Sequence, residues 1–246
     1  MLYFLLLLAG CAAAPPSDDF LIACARGAPS CAHIWDAPVP QTFTATIPTP
    51  HGPLSVFVNS TWAPAMAARF YVLTALSYSA GGPFYRVLRR GGQAFVAQWG
   101  YRASPAVDAA WLSLRTLNTT SRVLLSNTRG TVAFGTGEQA NSGQDPNCTA
   151  PVCSRGFSVE LFINLDDNSR LDAMGFSPFG RVAEADMAPA DALYAGYGEC
   201  ADVCAEEVSP YCIPASHGGW KGVNLSAMLR EGRPYLARFP LLDFVR

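Results

Sequence analysis

Beyond its first residues, the apolar residues of this chain come in short runs, and proline or glycine flanks most of them. Such punctuation leaves little room for long helices and favours short strands joined by turns. The clearest case is Thr42-Phe43-Thr44-Ala45-Thr46-Ile47 followed by Leu54-Ser55-Val56-Phe57-Val58. The linker from Pro48 to Pro53 holds His51-Gly52, so the pair reads as a hairpin. Further strand-like runs are residues 84–88, 94–98, 131–134, 159–165 and 179–182. Two helices interrupt them. Pro64 suits a first helical position, and Met66, Phe70, Leu73 and Leu76 continue at helical spacing. A second, shorter helix is expected over residues 186–194, entered through Pro189. The sum is a mainly β chain, an antiparallel barrel or sandwich with two helices.

Half of the 246 residues are hydrophobic and 15% are charged, enough to bury one large core. Net charge is -2 and the longest basic run is Arg89-Arg90, which gives no nucleic-acid footprint and no polybasic membrane patch.

Residues 1–14 are almost wholly apolar. As a helix they reach about 20 Å, short of a hydrocarbon core of about 30 Å. A signal peptide fits better than a spanning helix, with Ala12-Ala13-Ala14 offering small residues for cleavage. Leu8-Ala9-Gly10-Cys11 also reads as a lipoprotein cleavage box, which would put a lipid on Cys11. Asn59, Asn118, Asn147 and Asn224 each open a glycosylation sequon. Seven cysteines follow the leader: Cys24 and Cys31, Cys148 and Cys153, then Cys200, Cys204 and Cys212. Short spacings suit local disulfides in an oxidising compartment. The odd cysteine is left over or pairs between chains, and a zinc site with His217 is the less favoured reading of the last three. A secreted or lumenal protein is expected. Residues 15–41 read as an N-terminal arm closed by a disulfide, and residues 42–246 as one domain.

The order of the motifs resembles the cyclophilins. A Gly-turn hairpin at His51-Gly52-Pro53-Leu54 precedes a helix opened by Ala63-Pro64. Phe84-Tyr85-Arg86-Val87 is similar to the family's Phe-His-Arg-Val strand, and Phe95-Val96-Ala97-Gln98-Trp99-Gly100 to its Phe-Met-x-Gln-Gly-Gly strand. Gly130-Thr131-Val132-Ala133-Phe134-Gly135, Val159-Glu160-Leu161-Phe162-Ile163, Leu171-Asp172 and Phe179-Gly180-Arg181-Val182 follow in family order. The resemblance runs from about Thr42 to Arg246, with insertions at 89–93, 141–156 and 200–220. It implies a closed eight-stranded antiparallel barrel capped by two helices, and peptidyl-prolyl cis-trans isomerase activity without cofactor or metal.

Isomerising an X-Pro bond means crossing a barrier of about 20 kcal/mol set by amide resonance. At the twisted transition state the proline nitrogen gains a lone pair, and a donor aimed at it stabilises that state over both planar isomers. By resemblance Arg86 is that donor, and Gln98 holds the substrate backbone. Phe95, Val96, Phe162 and Leu171 form the proline pocket, with Phe134 at its rim. The groove departs from the family at four further points. Val96 stands for a methionine and Glu160 for a glutamine. Arg170 stands for a tryptophan that helps bind cyclosporin, so weak cyclosporin binding is expected. Phe176 follows Leu171-Asp172 where a pocket histidine is expected. The expected partners are proline-containing polypeptides, and the expected state is a monomer. A catalytically weak module that binds such peptides is the alternative.

Overall fold

Thr42–Thr49 (β1) and Gly52–Asn59 (β2) form the foreseen hairpin, in register from Thr42 opposite Asn59 to Thr49 opposite Gly52. The computed structural model describes residues 15–90, 93–114, 117–118, 123–135, 138–140, 152–198 and 222–246. Period-2 burial sends Leu54, Val56 and Val58 inward and Pro53 and Phe57 outward. Gly52 turns the chain at φ 119°, a conformation that glycine adopts without strain. Both strands run on through Pro48 and Pro53, further than expected. Pro48 lies on an edge strand, and β10 reaches only Phe57 and Val58 of β2, so neither proline breaks a ladder there.

The other strands are Arg86–Arg90 (β3), Gln93–Trp99 (β4), Leu117–Asn118 (β5), Thr131–Phe134 (β6), Glu138–Ala140 (β7), Cys153–Phe157 (β8), Leu161–Asn164 (β9) and Gly180–Arg181 (β10). Seven of them form one antiparallel sheet in the order β1-β2-β10-β6-β9-β4-β3, and β5-β8-β7 form a small second sheet. The expected closed eight-stranded barrel is corrected here. Among the described residues the sheet has seven strands, with β1 and β3 as its edges. The segment 243–246 takes the place of a closing strand. Phe84 N donates to Asp243 O (2.9 Å), Gly81 N to Val245 O (2.7 Å), Val245 N to Gly82 O (2.8 Å) and Arg246 N to Pro48 O (3.0 Å).

The helical content also exceeds the two expected caps. Pro64–Ala75 forms as foreseen, burying Met66, Ala67, Phe70 and Leu73. Residues 186–194 hold only a four-residue helix, Ala188–Asp191. Asp18–Ala25 (α1), Ala32–Trp35 (α2) and Pro105–Leu112 were not foreseen. Residues 15–41 thus hold short helices, and these pack into the core. Leu21, Cys24 and Cys31 are fully buried. Trp111 Nε1 donates to Leu21 O at 3.0 Å, and Trp35 stacks on Trp111 at 5.7 Å. The disulfide Cys24–Cys31 closes the segment as expected. Cys153 is disulfide-bonded as well.

A buried carboxylate secures this corner. Asp108 accepts from Tyr78 Oη (2.8 Å), Arg102 N (2.9 Å) and Ser104 N (3.1 Å), and burial raises its pKa. Among the described residues no helix is long and apolar enough to cross a membrane. The leader, Cys148, the insertion at 200–220 and His217 lie outside the described residues.

Candidate functional site

Strand register builds the site. Arg86 of β3 stands opposite Gln98 of β4, Gln98 opposite Phe162 of β9, and Phe162 opposite Ala133 of β6. Residues directly opposed in antiparallel strands project from the same face. The row therefore crosses four strands on one side of the sheet. The residues one step along, Val87, Ala97, Ile163 and Val132, fill the main core on the other side. Val96 lies two residues from Gln98 and shares its face.

On that face stands an apolar cluster separate from the main core: Val96, Ala133, Phe162 and Leu171, with Phe95 and Phe176 packed against it. Of the nine residues read from the sequence, Arg86, Gln98, Phe95, Val96, Phe162, Leu171 and Phe176 thus lie on the row or its apolar border, and Glu160 joins it through Gln98. Phe134 does not. It pairs with Leu161 on the core face and packs on Phe179 at 5.4 Å, so Ala133 holds the corresponding place in the cluster. The Phe176 ring meets Phe162 edge-on at 5.7 Å.

The polar half of the site is a chain of directed hydrogen bonds. Arg86 Nη1 donates to Gln98 Oε1 at 2.5 Å, and Gln98 Nε2 donates to Glu160 Oε1 at 2.8 Å. Glu160 also accepts from Tyr85 Oη at 2.5 Å and from Tyr101 Oη at 3.2 Å. Burial, with the Glu160 charge second, pushes the Tyr85 hydroxyl well above its usual pKa and keeps it a donor. Gly135 leaves room for this group: a Cβ there would fall 2.8 Å from the Glu160 carboxyl carbon and push that side chain aside.

Phe95 is flanked by two cations. The Arg86 guanidinium lies 5.6 Å from its ring centre and that of Arg170 lies 4.6 Å away. Arg170 is held by Asn168 Oδ1 at 2.9 Å. Asn168 Nδ2 in turn donates to Phe95 O (2.8 Å) and Asn164 Oδ1 (2.9 Å), tying the 169–174 turn to β4. Asp172 clamps the other side of that turn by accepting from Asn127 N (2.8 Å) and Nδ2 (2.7 Å). Leu171 is thereby fixed in the cluster.

Chemically, the site offers a half-buried guanidinium held between a ring and a carboxamide, beside an apolar face. That is a fixed donor next to a surface suited to a pyrrolidine ring. The apolar members are themselves well covered, with Phe162 and Leu171 at 3% and 6% exposure. A cavity of about 270 Å³ lies elsewhere, lined by Arg233, Leu236, Phe239, Pro240 and Phe244. Sequence reading missed Tyr85 and Tyr101 as partners of Glu160, and Ala133 as a cluster member. The run Phe84-Tyr85-Arg86-Val87 placed Tyr85 beside Arg86 but gave no sign of its long-range acceptor.

No family model matches the chain, and no curated protein matches it. Among solved structures it is similar to a cyclophilin-type peptidyl-prolyl cis-trans isomerase from Cryptosporidium parvum. That crystal structure aligns with a TM-score of 0.42 at 14% identity, covering 58% of this chain and 78% of the other. The same isomerase in the presence of the dipeptide Ala-Pro aligns with a TM-score of 0.41 at 15% identity, covering 58% and 79%.

Proposed function

We propose that this chain recognises proline-containing polypeptides and isomerises their X-Pro bonds, acting on secretory or extracellular substrates. The observation that carries this reading is the row Arg86–Gln98–Phe162 beside the separate apolar cluster. A proline ring resting against Phe95 and Phe162 would bring its nitrogen toward Arg86. The guanidinium donates to that nitrogen as the amide twists and its lone pair localises, an interaction absent from either planar ground state. Gln98 positions Arg86 through its carbonyl oxygen. No nucleophile, cofactor or metal takes part. The signal peptide, the expected monomeric state and the weak cyclosporin binding expected from Arg170 belong to the same reading.

A proline-limited peptide assay tests it. Wild type is expected to accelerate isomerisation, and Arg86→Ala to lose about 10²–10³ of kcat/KM, the usual cost of removing one transition-state donor. Equal background rates for both proteins overturn the reading.

A second reading, a proline-peptide binder with little turnover, is favoured by one observation. Arg86 already donates to Gln98, and Gln98 donates to the Glu160 carboxylate. A substrate must compete with that chain for both side chains. Saturable peptide binding without rate enhancement selects this reading.

A further inference from the structure

Asn59 ends β2, and strand alternation puts its side chain on the same outward face as Phe57, two residues and about 7 Å earlier. Phe57 is 38% exposed, unusual for so large an apolar side chain on a strand whose other face is fully buried. It does not stand alone. The Trp62 ring meets it edge-on at 6.0 Å, and the Arg181 guanidinium lies 5.9 Å from the Trp62 ring centre. Arg181 belongs to β10 and pairs directly with Phe57. An aromatic pair rimmed by a guanidinium therefore borders the sequon Asn59-Ser60-Thr61.

The sequon itself is arranged for modification. Asn59 Oδ1 accepts from Thr61 N (3.0 Å) and Thr61 Oγ1 (2.8 Å), while Nδ2 donates no hydrogen bond among the described residues. Asn224 contrasts with it. Its Oδ1 caps the helix Leu225–Glu231 by accepting from Ala227 N at 2.8 Å.

We propose that Asn59 carries an N-linked glycan whose first sugar, an N-acetylhexosamine, rests on the Phe57–Trp62 platform. In the transfer, Nδ2 forms a bond to C1 of a lipid-pyrophosphate-linked oligosaccharide. The C1–O bond to phosphate breaks, the lipid pyrophosphate leaves with the electron pair, and one amide proton passes to a base of the transferase. A pyranose presents one face of polarised C–H groups, which suits the negative face of an aromatic ring. Arg181 is in place to donate to the acetamido carbonyl. The sugar covers the apolar surface that folding leaves exposed. It lies on β2, with β10 between it and Ala133 of β6, the end of the row farthest from Arg86.

The proposal rests on passage through the secretory lumen, and the experiment separates the two. The full chain is expressed in animal cells behind a heterologous secretion signal, and in parallel with its own leader alone. The second arm reads the secretory assignment and the first reads Asn59. Peptide mass spectrometry after enzymatic release in ¹⁸O-water is expected to show Asn59 converted to labelled Asp. Trimming to the single inner sugar is expected to leave the melting temperature unchanged, and complete removal to lower it by about 2–4 °C. In Phe57→Ala/Trp62→Ala, and in the milder Trp62→Leu, complete removal is expected to have a smaller effect. An unmodified Asn59 in the first arm overturns the proposal. So does an equal loss on complete removal in wild type and both variants.

Discussion

Gln98 has one carboxamide and two neighbours with opposite demands on it. Its oxygen takes the Arg86 donor and its nitrogen serves Glu160, so the amide can point only one way. Glu160 thus holds Arg86 through Gln98 without touching it. The charge of Glu160 was legible in the sequence; its partners were not, because Tyr85 and Tyr101 reach it from distant parts of the chain. Glu160→Ala would leave the buried Tyr85 hydroxyl without its acceptor. We expect a loss of about 1–3 kcal/mol, read from the urea midpoint. An unchanged midpoint contradicts the network as drawn. A second residue-scale expectation concerns pH. Hydrogen bonding from Arg129, then from Arg89, holds the Asp191 carboxyl below its ordinary value. A lowered folded pKa gives stability that is present above the unfolded value, roughly 3.9, and lost as pH falls through the folded one. Asp191→Asn should therefore lose stability near neutral pH and little at the acid end of that window. Denaturant midpoints at a series of pH values check this, and parallel curves for the two proteins contradict it.

Among the elements, legibility followed locality. The β1–β2 hairpin was readable because its turn chemistry, His51-Gly52 between two prolines, lies within the hairpin. Pro64–Ala75 was readable from proline at its start and apolar spacing beyond it. The missed helices carried comparable local marks. Ser17 caps α1 by accepting from Phe20 N at 3.3 Å, with Asp18 and Asp19 in its first turn. Pro105 opens Pro105–Leu112 at a first helical position, while the Ser104 hydroxyl donates to Asp18 Oδ2 (2.7 Å) instead of capping its own helix. Each is only eight residues long, too short for periodicity to speak, and the two pack on each other. Arg102 fastens the pair, donating to Asp18 Oδ1 (2.9 Å) and to Pro16 O (2.6 Å). The N-terminal segment is therefore expected to contribute to global stability. Leu21 is fully buried, so Leu21→Ala should cost about 2–5 kcal/mol. Removing the Cys24–Cys31 bridge, which spans a sequence separation of 7, should cost about 2–3 kcal/mol through unfolded-state entropy. Equilibrium unfolding of Leu21→Ala and of Cys24→Ala/Cys31→Ala checks both. Near-wild-type values would make the segment an appendage.

At the scale of the molecule, the apolar patterns announced a mostly β protein, but closure of the sheet was not theirs to announce. Register within a hairpin is local; pairing of the first and last strands is not, and it depends on what the final residues do. Here residues 243–246 form no full strand. They make one bridge, Pro83 to Phe244, and four backbone hydrogen bonds that touch the approach to β3 and the far end of β1. They also bury Val245 and place Asp243 against His51 Nε2 at 3.1 Å and Tyr194 N at 2.7 Å. The segment therefore ties the two open edges of the sheet together where a barrel would have a continuous strand. Burial of one valine is worth about 1.5–3 kcal/mol, and each net hydrogen bond about 1 kcal/mol. Deleting Asp243 to Arg246 should thus lower stability by about 3 kcal/mol or more. It should also uncover backbone donors and acceptors near both edges, the surface on which strands of separate molecules pair. The shortened protein is expected to show a lower denaturant midpoint and concentration-dependent association by size-exclusion chromatography and light scattering. Val245→Asp, which keeps the chain length but opposes burial, should reproduce the loss of stability with less association, because the backbone hydrogen bonds can still form. If the deletion leaves midpoint and mass unchanged, the edges are held apart by the rest of the sheet, and the tail has no part in joining them.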